Sequence, residues 1–128
     1  MRDNDAAMMI PIVATGVDWV YFLQPINGGL IKIGKAAQVD RRITEIQNMN
    51  AVTLNVLAVE RNVKPRRGTD RERALHLRFA KDRAHGEWFH PSAELVSYIG
   101  TLPQLGIDAF SFAKIVMDTR IRINAQRS

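Results

Sequence analysis

The stretch from Glu72 to Phe89, ERALHLRFAKDRAHGEWF, sets an acid and an imidazole one helical turn apart, with Glu72 and His76 at i and i+4. Around a helix, Glu72, Leu75, His76 and Phe79 fall on one narrow stripe, while Arg71, Arg73 and Arg78 fall away from it. A carboxylate on a core-facing stripe has to be neutral, paired or bound to a metal, because a bare buried charge is too costly to keep. Glu72 is a hard oxygen ligand suited to a divalent cation. His76, an imidazole, suits a second ligand, a phosphate contact or a proton donor to a leaving oxygen. Structural readings stay open beside these. Thr69-x-x-Glu72 fits a capping box, an arginine can pair with the acid, and a core histidine can bond a backbone carbonyl.

A second chemical pair lies upstream. Asp18 to Gln24 and Gly29 to Gly34 read as strands around Pro25-Ile26-Asn27-Gly28, where Asn-Gly is a hairpin signal. With Asn27-Gly28 as a two-residue turn, Tyr21 faces Gly34 and Leu23 faces Lys32. The Tyr21 hydroxyl and the Lys32 ammonium are then diagonal neighbours on one face. A phenol, with an ordinary pKa of ~10, is a poor base unless positive charge lowers it. Lys32 is placed to do that or to bind a phosphate, and an ordinary outward-facing strand lysine is the plain alternative.

The elements that must position these groups follow from periodicity. Gln38 to Asn48 reads as a helix with Val39, Ile43 and Ile46 buried; Arg42 borders that stripe and Arg41 points nearly opposite. Val52 to Arg61 reads as a third strand and Asn62 to Gly68 as a basic loop, and the Glu72 helix runs to about Ala80. Gly86 to His90 is a short extended segment in which Glu87-Trp88-Phe89 reads as a structural plug, with a base-stacking platform as the alternative. Ser92 caps a helix that turns Leu95, Ile99 and Leu102 inward. From Asp108 onward, Phe112, Val116 and Ile123 recur at helical spacing in a basic tail.

Composition sets the outer limits. A chain of 128 residues with 46% hydrophobic content suits one domain. With no cysteine there is no disulfide, thiolate zinc site or thiol nucleophile, so any metal must sit on oxygen or imidazole. The apolar run Met8 to Ala14 is too short to span a bilayer, and Asp3 and Asp5 beside Arg2 are wrong for a secretory leader. The expected location is cytoplasmic, with no membrane partner. The net charge is +5, carried mostly by arginine and clustered at Arg41-Arg42, Lys64 to Arg73 and Arg120 to Arg127. That spread suits a phosphate backbone, which makes nucleic acid the expected partner class, or a solvated basic surface. Lys35, Arg66, Arg67 and Arg83 are the candidate nucleic-acid contacts, with pairing to Glu87 or Asp82 as the alternative for Arg83. His85 and His90 show no metal-binding spacing.

Taken in order, Val20-Tyr21-Phe22, Ile31-Lys32-Ile33-Gly34-Lys35, Arg42-Ile43-x-x-Ile46-Gln47, Glu72-x-x-Leu75-His76-x-x-Phe79 and Gly86-Glu87-Trp88-Phe89 resemble the GIY-YIG nuclease superfamily. More closely, they resemble its phage-associated branch, whose second motif is commonly written KIG, over roughly residues 19–99. The resemblance implies an α+β domain with a small three-stranded antiparallel sheet flanked by helices. That domain would occupy residues 18–102, between an N-terminal arm (1–17) and a basic C-terminal helical extension (103–128). It implies phosphodiester hydrolysis with one divalent ion, Mg²⁺ or Mn²⁺. By position, Tyr21 matches the general base or water-orienting tyrosine, Arg42 the phosphate-steadying arginine and Glu72 the metal-holding carboxylate. Lys32 stands where the family has its second tyrosine, and Trp19 where it has the first glycine. The expectation is a metal-dependent endonuclease or nicking enzyme acting on DNA, with Tyr21, Lys32, Arg42, Glu72 and His76 converging on one solvent-reachable cleft. The alternatives are a noncatalytic nucleic-acid-binding module and an interaction or inhibitor protein on the same scaffold. Retention of Tyr21, Arg42 and Glu72 favours the enzyme, and the altered Lys32 position favours the binder.

Overall fold

The computed structural model describes residues 18–127 together with Ile12. The expected N-terminal arm and the apolar run Met8 to Ala14 otherwise lie outside the described residues. Strand β1 (Trp19–Pro25) is flanked by β2 (Ile31–Ala36) and β3 (Leu54–Arg61), both antiparallel to it. Its residues Trp19 to Leu23 are buried on both faces, so it reads as a continuous apolar run with no polar alternation. Tyr21 stands opposite Gly34 and Leu23 opposite Lys32, the register that an Asn27-Gly28 hairpin demands. The tip is wider than two residues. Gly28 N–H donates to the Pro25 carbonyl at 2.9 Å, and Gly28 and Gly29 take φ of 90° and 111°, a left-handed region that favours glycine. Strand β2 therefore starts at Ile31 rather than Gly29.

The sheet is larger than the expected three strands. Among the described residues it has six, in the order β4-β5-β2-β1-β3-β6, with β4 (Arg83–His85), β5 (Trp88–Phe89) and β6 (Ile107–Asp108) added at the edges. These additions are two or three residues long, too short for an alternating pattern to show in sequence.

Among the described residues, four helices cover the sheet: α1 (Val39–Asn48), α2 (Arg71–Arg78), α3 (Ala93–Gly100) and α4 (Ala109–Arg127). One core joins Tyr21, Leu23 and Val56 to Val39 and Ile43 of α1 and to Phe112 and Val116 of α4. The other joins Val20, Phe22 and Ile33 to Leu75, Phe79, Leu95 and Ile99. The tail helix thus completes a core and positions α1, which carries Arg42. Gln47 fixes the exit of α1, its side chain donating to the Val52 carbonyl at 3.1 Å and accepting from Leu54 N–H at 2.7 Å.

Arg120 of α4 grips Asp40 of α1 through two hydrogen bonds of 2.9 Å each. Burial would raise the Asp40 carboxyl, but these bonds and the Arg120 charge outweigh it and leave it below the usual range. Arg120→Ala should destabilise the fold by ~1–2 kcal/mol, the low end for a lost charged hydrogen bond, because Arg120 is 38% exposed. The depressed carboxyl contributes stability above its unfolded pKa of ~3.9 and loses it as pH falls through the lower folded value. Urea unfolding of wild type and variant should therefore differ at neutral pH and converge in acid.

Candidate active site

The site forms where β5 runs out. It pairs with β2 only at Ile31–Phe89 and Lys32–Trp88, after which Ile33 N–H donates to the Glu87 carbonyl at 2.9 Å. The Ile33 carbonyl, facing the same way, has no strand to meet. His76 Nε2 lies 2.8 Å from it, and because a carbonyl can only accept, that nitrogen carries a proton. His76 is thus the carbonyl-bonded histidine of the plain reading, yet it also lies 4.0 Å from Glu72 Oε2. The turn at Gly86-Glu87, with Gly86 at φ 53°, brings Glu87 to the same place. Glu72, His76 and Glu87 each offer a ligand atom, all within 4.8 Å of one another.

Glu87 is the group that sequence reasoning missed. Trp88 and Phe89 do pack against the cores as a plug, but the Glu87 carboxylate turns to Lys32, whose Nζ lies 3.0 Å from its Oε1. Lys32 is only 12% exposed and rests over the Trp88 ring, 5.4 Å from its centroid, so it is no ordinary outward-facing lysine. Burial and then the hydrogen bond to Glu87 raise the Glu72 carboxyl above the usual range. Burial pushes Glu87 the same way, but the Lys32 hydrogen bond and charge overcome it, so Glu87 sits below its usual range. One acid is biased towards its neutral form and its neighbour towards the carboxylate.

Tyr21 reaches this cluster across Gly34. A side chain at Gly34 would collide with the tyrosine ring and hydroxyl, so glycine there is a packing requirement. The Tyr21 phenol is pushed up to about 12, by burial first and then by the Glu87 charge, against a lowering by its hydrogen bond to Arg42. The expectation that Lys32 lowers this phenol is therefore corrected: its ammonium is committed to Glu87. Arg42 also bonds Glu45 Oε2 at 3.3 Å and stays 42% exposed, at the rim. Although α2 packs on the face opposite Tyr21, the Glu72 carboxylate comes near enough to act on the phenol. Lys32, Glu87, Glu72 and His76 are joined by close contacts, Tyr21 and Arg42 form a second pair, and the two groups meet through the charges of Glu87 and Glu72 acting on the phenol.

The start of α2 is held from several sides. Asp70, not Thr69, is the cap: its Oδ1 accepts from Arg73 N–H at 3.0 Å, which removes the proposed capping box and leaves the Glu72 side chain to the cluster. Its Oδ2 accepts from Lys35 at 2.7 Å and from Asn62 at 3.3 Å, and it is held down to about 2 by Lys35 first and Arg73 N–H next. Asn62 also accepts from Glu72 N–H at 2.8 Å, so one amide ties the basic loop to both Asp70 and Glu72. On the far side of the helix, Arg71 bonds the Tyr98 hydroxyl and lies 3.6 Å from Glu60.

The basic candidates differ in their surroundings. Arg66 and Arg67 are exposed in the loop between β3 and α2, Lys35 pairs with Asp70, and Arg83 is exposed on β4. The expected partners of Arg83 are engaged elsewhere, Asp82 with the Ser92 hydroxyl at 2.7 Å and Glu87 with Lys32. His85 and His90 are exposed and outside the cluster. No helix among the described residues is long and apolar enough to cross a membrane.

Asp70→Ala removes the cap and should cost ~1 kcal/mol, as such caps do, whereas Thr69→Ala should leave stability within ~0.5 kcal/mol of wild type. Paired thermal melts check this, and an equal loss from Thr69→Ala would return the cap to Thr69.

Compared with known proteins, residues 18–100 match the family model described as the T5orf172 domain. No curated protein and no solved structure matches the chain.

Proposed function

Because the chain belongs to the T5orf172 domain family, a domain found in nuclease-like proteins of phages and bacteria, we propose that it is a metal-dependent endonuclease or nicking enzyme of the GIY-YIG type, hydrolysing phosphodiester bonds in DNA. The observation that carries this reading is the convergence of a phenol, two cationic groups and two carboxyls at the open end of β2. A purely structural role would not require Tyr21, Lys32, Arg42, Glu72 and Glu87 to meet there.

The residues fit a divalent cation. Two carboxyls at hydrogen-bonding distance, one of them raised by its surroundings, form an oxygen-rich donor set whose mutual repulsion a cation relieves. Glu72 and Glu87 would hold Mg²⁺ or Mn²⁺, with His76 beside them. Such an ion supplies Lewis-acid charge for a phosphodiester.

The chain's own groups divide the remaining work. Arg42, fixed by Tyr21 and Glu45 yet open to solvent, offers a forked guanidinium to nonbridging phosphate oxygens, where negative charge grows in the transition state. Tyr21 keeps its proton at neutral pH and orients water or a phosphate oxygen by donating that proton in a hydrogen bond. His76 donates to Ile33 and keeps the β2 edge and α2 in fixed relation, a positioning role. Arg66 and Arg67 supply sequence-independent attraction to phosphates, in a loop whose ends Asn62 and Arg71 tie to the start of α2.

Supercoiled plasmid should be nicked or linearised by wild type with Mg²⁺ or Mn²⁺ and left intact by Glu72→Ala, which should still fold and still bind DNA. Equal cleavage by Glu72→Ala would remove it from the site. Arg42→Ala should lower the single-turnover rate by ~100-fold or more with a smaller loss of affinity, because its charge acts mainly on the transition state. Replacing Arg66 and Arg67 should instead weaken binding and reduce the slope of log K against log salt by ~0.9 for each phosphate left unneutralised. Binding that ignores salt would contradict the phosphate-backbone reading.

A further inference from the structure

Lys32 and the cation site compete for one carboxylate. Glu87 holds the Lys32 ammonium at 3.0 Å through Oε1, and the same side chain belongs to the Glu72–His76–Glu87 cluster. Lys32 also lies on the sheet face of Tyr21, since Leu23 is its cross-strand partner and Tyr21 precedes Leu23 by two residues. Its charge is spent on Glu87, and the Tyr21 phenol feels the Glu87 charge in a raising sense.

Resting on the hydrolase reading above, we propose that Glu87 is a positioning residue that latches Lys32 and releases its ammonium to the substrate phosphate when the carboxylate turns to a divalent cation. The physics is a displacement. A doubly charged ion close to Glu87 attracts the carboxylate more strongly than an ammonium does and repels that ammonium. Lys32, on a flexible four-carbon stem and poorly exposed, then has the incoming phosphate as its next anionic partner, with Trp88 remaining as an apolar rest for the stem. The device makes metal loading and phosphate recognition sequential. The lysine that replaces a phenol in the second motif is useful only once the cation is present. Its partner, Glu87, lies in a short turn far along the chain.

The test reads the lysine itself, with no DNA present. The full chain is acylated with an amine reagent, with and without Ca²⁺, and labelling of Lys32 relative to the exposed Lys81 is followed by mass spectrometry. Ca²⁺ should raise relative Lys32 labelling several-fold in wild type. Glu87→Gln should label fast without Ca²⁺ and gain nothing from it, and Glu87→Asp, a shorter acid, should do the same if Glu87→Gln fails to fold. Glu72→Gln should keep the slow rate and respond weakly to Ca²⁺. Wild-type labelling that Ca²⁺ leaves unchanged, or slow labelling in the folded Glu87 variants, overturns the latch. Failure of the underlying reading looks different: labelling responds as expected while plasmid stays intact with Mg²⁺ and Mn²⁺.

Discussion

Two carboxyls brought together at the unpaired end of a strand impose most of the local design of this protein. Glu72 and Glu87 come from segments on either side of β4, and their mutual repulsion has to be balanced in the half-buried space they share. Lys32 balances Glu87, and Glu72 moves towards its neutral form. The shortness of β5 is part of the same solution, because a longer partner for β2 would occupy the edge that His76 and Glu87 use. Gly34 follows too, since only a residue without a side chain lets the Tyr21 ring cross β2 and join the cluster.

Precision comes from anchors outside the cluster. On α2, Arg71 is tied to Tyr98 and Glu60 on the side away from the site, and Asp70 caps the helix on the near side. With both sides held, the rotation of α2 is fixed and Glu72 points where it must. Across the sheet, α1 is fixed by Gln47 at its end and by the Arg120 grip on Asp40, which governs where Arg42 stands. The site is thus assembled over the edge of the sheet from both of its faces. No single helix carries it.

Much of this is legible in the sequence, and the reasons are physical. The hairpin register follows from Asn27-Gly28 because a shift of one residue would turn Tyr21 and Lys32 to opposite faces. The helix stripes Val39-Ile43-Ile46 and Leu95-Ile99 are long enough to show their period, and Ser92 caps α3 as expected. The short edge strands have no period to read, so sequence reduces a six-stranded sheet to its three long strands. Thr69 competes as a cap although Asp70, the true cap, stands next to α2. A capping box places two side chains and is the more visible pattern. Glu87 escapes notice because its neighbours Trp88 and Phe89 explain the motif by packing, and because its partners, Lys32 and Glu72, come from distant parts of the chain. Two acids fifteen residues apart carry no spacing signal until the turn at Gly86 is known. The phenol of Tyr21 misleads for the same reason: Lys32 is near it, but the charge that reaches it from this pair is that of Glu87.

Whether Glu72 and Glu87 together hold one divalent cation at the end of β2, as proposed, is decided by calorimetric titration of Mn²⁺ into wild type, Glu72→Gln and Glu87→Gln. One ion per chain should bind wild type, and each substitution should weaken it by about tenfold or more, consistent with losing a charged ligand from a small donor set. Binding of the same stoichiometry and affinity in all three proteins would contradict the account.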